Sequence, residues 1–154
     1  MSRTSSSFWL SSLLAVGAFA QSDVLTVAPV AKVSAKRNES TPVRLMVKLK
    51  PGYHTNSNTP SEDYLIPLRL TWDAAPLATE AVKFPAPHLE KYEFSEKPLS
   101  VFTGDFAIET QFKAPANAPT GLGIAKGKLR YQACSLKACL PPKTVPVEFT
   151  YEIR

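Results

Sequence analysis

The stretch RYQACSLKACLPPKTVP, residues 130–146, holds both cysteines of the chain, Cys134 and Cys139, with four residues between them. Thiols this close in sequence can close a local loop, or they can exchange with the disulfide of another protein. In exchange, one thiolate attacks to form a mixed disulfide and the second cysteine resolves it. Spacing alone leaves both readings open. As a staple the pair is modest. In the chain-entropy account a loop of this size contributes about 2 kcal/mol, against nearly 5 for about a hundred residues. Structural zinc takes four cysteine or histidine ligands at set spacings. The only histidines, His54 and His88, form no tight motif with the pair, so each reads as a lone surface histidine and no metal is implied.

The pair must be held by strands. Along GKLRYQAC, Leu129, Tyr131 and Ala133 fall on the apolar side, and Lys128, Arg130, Gln132 and Cys134 on the polar side. Cys134 is therefore expected to face away from the core, where a partner could reach its sulfur, unless a bulge resets the phase. If Cys134 ends one strand and Cys139 begins its antiparallel partner, their α-carbons face each other at about 4.5–5.5 Å, within the disulfide window. Arg130, Lys137 and Lys143, near in sequence, would favour a thiolate.

The wider chain alternates in the same way. RLMVKLK sets Leu45, Val47 and Leu49 against Arg44, Met46, Lys48 and Lys50. LRLTW aligns Leu68, Leu70 and Trp72, and DFAIETQFK aligns Phe106, Ile108 and Phe112. VPVEFTYEI points Val145, Val147, Phe149, Tyr151 and Ile153 inward. Period two of this kind marks half-buried strands. VLTVAPVAKVSAK reads as a further strand, broken or bulged near Pro29. Fourteen prolines and six glycines cluster in KPGYH, SNTPSED, FPAPH, APANAPTG and LPPK, which read as turns or loops. No amphipathic helix, repeat or linker stands out. Short strands spaced by turns predict an all-β, two-sheet antiparallel sandwich of immunoglobulin type.

Residues 1–20 read differently. MSRTSSS carries Arg3, and an apolar run from Phe8 to Ala20 ends in Ala18-Phe19-Ala20 before Gln21. This is the pattern of a secretory signal peptide. The run is shorter than the roughly 20 residues a membrane span needs; an uncleaved anchor is the alternative. The expectation is a leader over 1–20 and one domain over 21–154, periplasmic or otherwise exported, and soluble after cleavage. Outside the cytosol two nearby thiols are expected to oxidise. The formal charge is +5, from 18 basic residues including Arg3 and 13 acidic ones, so loss of Arg3 leaves +4. The basic residues are scattered along strand-like segments with no aromatic-plus-basic cluster, which argues against nucleic acid.

Beyond spacing and period, YQACSLKACLPPKTVPVEFTYEI resembles the active-site region of the amino-terminal periplasmic domain of DsbD, the thiol:disulfide interchange protein. The matching residues are Tyr131, Gln132, Ala133, Cys134, Cys139, Leu140, Pro141, Pro142 and the strand from Thr144. PGYHTNSNTPSEDYLIPLRLTW resembles an earlier segment of that family, a Gly-aromatic turn leading to a strand with Ile-Pro. The resemblance implies an immunoglobulin-like sandwich with the cysteines at one end, working as a redox relay without a cofactor. Its donor would be a membrane-embedded disulfide reductase. Its acceptors would be periplasmic thioredoxin-like or disulfide isomerase proteins, including a thioredoxin of cytochrome c maturation. Carried over, Cys139 makes the mixed disulfide and Cys134 resolves it. HLEKYEFSEKP matches a cap loop, with Tyr92 or Phe94 shielding the cysteines, or else simply packed on the sandwich edge. Tyr53, His54 and Tyr131 match positions around the site, with His54 a candidate proton-transfer group.

Two departures stand out. The best-known family members have five residues between the cysteines, where Ser135 to Ala138 make four here. The sequence also ends at Arg154 without a membrane or thioredoxin domain, so the expected donor is a separate polypeptide. The leading expectation is an exported, monomeric thiol:disulfide oxidoreductase-like domain. The alternative is a non-catalytic immunoglobulin-like binding or assembly module whose disulfide rigidifies a loop. A chaperone-like domain lending an edge strand is a third class, without a feature in its favour.

Overall fold

The computed structural model describes residues 23–154, and the leader expected over residues 1–20 lies outside them. Twelve strands make up the ordered framework of the described residues. In chain order they are β1 (Leu25–Val27), β2 (Val33–Ala35), β3 (Ser40–Leu49), β4 (His54–Asn56), β5 (Arg69–Asp73) and β6 (Ala78–Lys83). They continue with β7 (His88–Glu90), β8 (Leu99–Thr103), β9 (Asp105–Lys113), β10 (Gly121–Tyr131), β11 (Ala133–Cys134) and β12 (Lys143–Ile153).

The alternating runs build two facing sheets. In the first, ordered β1-β3-β9-β6, β3 buries Val43, Leu45, Val47 and Leu49 while Arg44, Met46 and Lys48 stay exposed. Its antiparallel partner β9 sets Ile108 opposite Leu45 and Phe106 opposite Val47. The second sheet runs β2-β12-β10-β5. There β12 turns Val147, Phe149, Tyr151 and Ile153 inward, with Phe149 opposite Ala125 of β10. Each inner face is apolar at every second residue, so stacking the two removes both from water at once. Trp72 of β5 locks the seam. Its ring meets Phe112 and Phe149 edge-on at 5.3 and 5.4 Å, and its indole N–H donates to Thr110 Oγ1 at 3.0 Å. That bond serves a hydroxyl fully buried in the core, where an unpaired polar atom would be costly.

The expected interruption at Pro29 has an architectural role. β1 pairs with β3 in the first sheet, and β2 pairs with β12 in the second. The amino-terminal segment therefore crosses from one layer to the other at the proline, whose missing N–H suits a break in pairing. The β2–β12 pair is parallel, a local exception in the antiparallel immunoglobulin-like arrangement.

A third sheet, ordered β11-β4-β8-β7, is an addition to the expected two. Three of its strands are only two or three residues long, too short to display a period in the sequence. Thr55 faces both Ala133 and Phe102 across this sheet. Ala133 and Phe102 join the main core with Leu45, Leu129 and Tyr131. The sheet thus closes one end of the sandwich, with one face on the core. Its other face carries the cysteine site.

Candidate redox site

Cys134 and Cys139 are joined by a disulfide. They sit directly opposite each other in a tight hairpin whose tip is Leu136 and Lys137. On one side of the pair Ser135 N–H donates to Ala138 O at 2.9 Å; on the other Leu140 N–H donates to Ala133 O at 2.8 Å. The Ser135 hydroxyl also accepts from the N–H groups of Lys137 and Ala138, both at 3.2 Å. Two flanking backbone bonds make the cysteines a non-hydrogen-bonded facing pair, the closer of the two antiparallel arrangements. The α-carbons are 3.9 Å apart, nearer than the 4.5–5.5 Å expected.

The two sulfur-bearing residues differ in exposure. Cys139 is exposed, whereas Cys134 is 1% accessible. This corrects the expectation of an open Cys134. Parity was right about the main core: Ala133 points into it, so Cys134 points to the opposite face of the side sheet. That face is itself covered. Directly opposed residues share a face, so Cys134, His54 of β4 and Thr103 of β8 form one row on it. The phase also breaks at Gln132, which lies between β10 and β11.

The cover comes from the loop after β7. Tyr92 stacks on His54 with ring centroids 4.0 Å apart and planes at 16°. Phe94 stacks on Tyr92 at 5.4 Å. The Tyr92 hydroxyl donates to Glu90 Oε2 at 2.7 Å, and its ring packs with Leu99 and Val101 of β8. Burial, reinforced by the Glu90 carboxylate, pushes the Tyr92 phenol well above its ordinary pKa, so it stays a donor. Lys97 pairs with Glu62 at 3.3 Å, tying the cover to the loop before β5. That second loop is pinned by polar groups: Asn56 Nδ2 donates to Ile66 O at 3.0 Å, and the Ser57 and Ser100 hydroxyls bond at 2.8 Å. A run of four buried residues, His54 to Ser57, therefore anchors two loops over the outer face of the sheet.

His54 is the largest departure from the sequence reading. Read as a surface histidine, it is 2% exposed, enclosed by Tyr92 and by its place between β8 and β11. Its Nε2 has no hydrogen-bond partner. Burial lowers its pKa below 6.5, while the Glu90 carboxylate pulls the other way, so at pH 7 the ring is neutral. His88 is exposed, as expected. Tyr53 is half-buried against the main core and lines a cleft of about 230 Å³ with His54, Tyr92, Thr103 and Leu136. Tyr131, expected around the site, belongs to the core at 2% exposure, and burial raises its pKa. Of the three basic residues expected near the sulfurs, Lys137 alone lies within the hairpin. Lys143 pairs with Asp23 at 3.5 Å, and Arg130 lies on β10 opposite Arg69 of β5.

The bridge adds little to a sandwich with its own core. The double variant Cys134→Ser with Cys139→Ser should keep its far-ultraviolet circular dichroism and lose about 2 kcal/mol in denaturant unfolding. Complete unfolding would show that the bond is a structural staple after all.

An immunoglobulin-like sandwich carrying a half-buried disulfide on a side sheet defines the class of domain. Residues 21–150 match the family described as thiol:disulfide interchange protein DsbD, N-terminal, and the chain belongs to that family. The N-terminal periplasmic domain of ScsB from Proteus mirabilis is similar in structure, with a TM-score of 0.54 at 13% identity. The match covers 81% of this chain and 44% of that one, so this chain spans less than half of its length. A cohesin–dockerin complex from Clostridium thermocellum matches with a TM-score of 0.45 at 11% identity, over 86% of this chain and 100% of that one. No curated protein sequence matches.

Proposed function

We propose that this domain is an electron relay that works by thiol–disulfide exchange in the periplasm. The unequal exposure of the two cysteines, 1% for Cys134 against an open Cys139, carries this reading. In the reduced domain the Cys139 thiolate attacks a partner's disulfide. A Cys139–partner bond forms and one partner sulfur leaves as a thiolate. The Cys134 thiolate then attacks Cys139 Sγ, the Cys139–partner bond breaks, and the second partner sulfur leaves with its electron pair. The domain ends oxidised and the partner reduced by two electrons. A membrane-embedded disulfide reductase resets the pair, and thioredoxin-like or isomerase proteins are the acceptors. The domain acts after removal of a leader over residues 1–20, as a monomer. Tyr92 and Phe94 shield the site until a partner displaces them.

Family membership supports exchange as the chemistry, and the exposed hairpin tip at Leu136 and Lys137 supports access by another protein. The deciding experiment is equilibration of the domain in defined dithiothreitol buffers. The expected reduction potential lies at roughly −180 to −270 mV, among the exchange proteins. A value well below about −300 mV would place the bond among structural disulfides and leave a binding module as the better reading.

A further inference from the structure

We infer that His54 is the proton acceptor for Cys134, taking the thiol proton on Nε2 as Cys134 resolves the mixed disulfide. This rests on the relay reading and adds to it the group that activates the buried sulfur. The need for such a group follows from the geometry. Cys139 is open, and water can take its proton. Cys134 is enclosed, and burial in apolar surroundings holds a thiol in its unreactive protonated form. A base must therefore reach it from inside the protein.

His54 occupies the required place. It is the register partner of Cys134 on the neighbouring strand, so the two side chains leave the same face as directly opposed neighbours. Tyr92 covers the ring, and Nε2 is buried without a partner. An orphaned buried nitrogen calls for an explanation. In the disulfide state Cys134 has no proton to offer it. In the reduced state the S–H of Cys134, the register partner of His54, is the donor the proposal assigns to it. The charged and titratable groups around the ring are Glu90 from β7, the Tyr92 hydroxyl bonded to Glu90, and Lys50 and Tyr53, which line the same cleft. Burial keeps the imidazole neutral at pH 7 and free to accept. During resolution the thiol proton passes to Nε2 as the Cys134 sulfur bonds to Cys139 Sγ. The departing thiolate carries the electron pair, and the imidazolium returns its proton to that thiolate or to solvent.

The test uses the reduced domain and one equivalent of 5,5′-dithiobis(2-nitrobenzoic acid), with release of thionitrobenzoate followed by stopped flow. The first phase reports attack by Cys139 and the second reports resolution by Cys134. In the wild type the second phase should be nearly independent of pH from about 7 to 8, where burial, which lowers the His54 pKa, keeps the ring neutral. In His54→Phe, which keeps a ring to stack on Tyr92, it should be slower by about 10²-fold at pH 7, the low end of general-base contributions. It should then climb about tenfold per pH unit, following the thiolate fraction. A slower second phase with an unchanged pH profile would mean that His54 only packs, and would overturn the inference. Should the variant fail to fold, the wild-type profile decides alone: a second phase rising tenfold per unit across that range overturns it, and a flat one supports it. A wild-type domain that releases no thionitrobenzoate overturns the relay reading and this inference together. A normal first phase followed by a hydroxide-dependent second phase overturns this inference alone.

Discussion

Cys134→Ser, exposed to a periplasmic extract, should accumulate as a mixed disulfide through Cys139, while Cys139→Ser should yield none and lose exchange down to background. The asymmetry follows from access. A partner's sulfur must approach in line with the attacking thiolate, and only the Cys139 side of the hairpin is open. With Cys134 replaced, the first bond forms and no internal thiolate breaks it. With Cys139 replaced, the remaining cysteine is only 1% accessible, and its sulfur meets no partner. Non-reducing electrophoresis and mass spectrometry of the captured species give the result. Capture by neither variant would sink the relay. Capture by Cys139→Ser alone would reverse the two roles.

The double variant Tyr92→Ala with Phe94→Ala should let glutathione reduce the disulfide about tenfold or more faster than in the wild type. Two ring stacks hold the cover, His54 to Tyr92 and Tyr92 to Phe94, and aromatic pairs of this kind contribute about 0.5–1.5 kcal/mol each. Losing both raises the population of the open form, and the rate of attack by a small thiol follows that population. Stability should fall by about 3 kcal/mol, nearly all of it from Tyr92, since truncating a buried aromatic leaves a cavity. Phe94 is 43% exposed, so Phe94→Ala alone should change the melting temperature little. An unchanged reduction rate in the double variant would make the loop ordinary edge packing and remove the shield from the proposal.

Legibility in the sequence tracked how each element meets the core. β3, β9 and β12 each bury every second residue against one apolar layer, so the alternation of Leu45 and Val47, or of Phe149 and Tyr151, fixes both the element and its inner face. The break at Pro29 was readable for the same local reason. The side sheet was not. In β8, Leu99 to Phe102 are all buried, on both faces, which erases the period. In β4, His54 closes the turn read in KPGYH and Thr55 and Asn56 are polar, with no period to mark a strand, yet all three are buried. What hides them is long-range pairing with β8 and β11 and the loop closed over them, none of which leaves a local trace. The cysteine pair was found by residue type. Its unequal burial was not found, because alternation reports which side of its own strand a residue occupies and is silent about what covers that side. His54 was misplaced for the same reason.

The backbone bonds on either side of the cysteine pair have a kinetic consequence. Ser135 to Ala138 and Leu140 to Ala133 are bonded through main-chain atoms alone, so breaking the sulfur–sulfur bond removes no donor or acceptor from them, and the two thiols are expected to stay facing each other after reduction. The second thiol then acts at an effective molarity far above that of any free thiol, as prearranged intramolecular groups do. Ring closure outruns capture of the half-reacted domain by a second molecule. In the proposed relay, reducing equivalents would accordingly leave this hairpin in pairs, and a partner that accepts one sulfur bond would be committed to accepting both electrons.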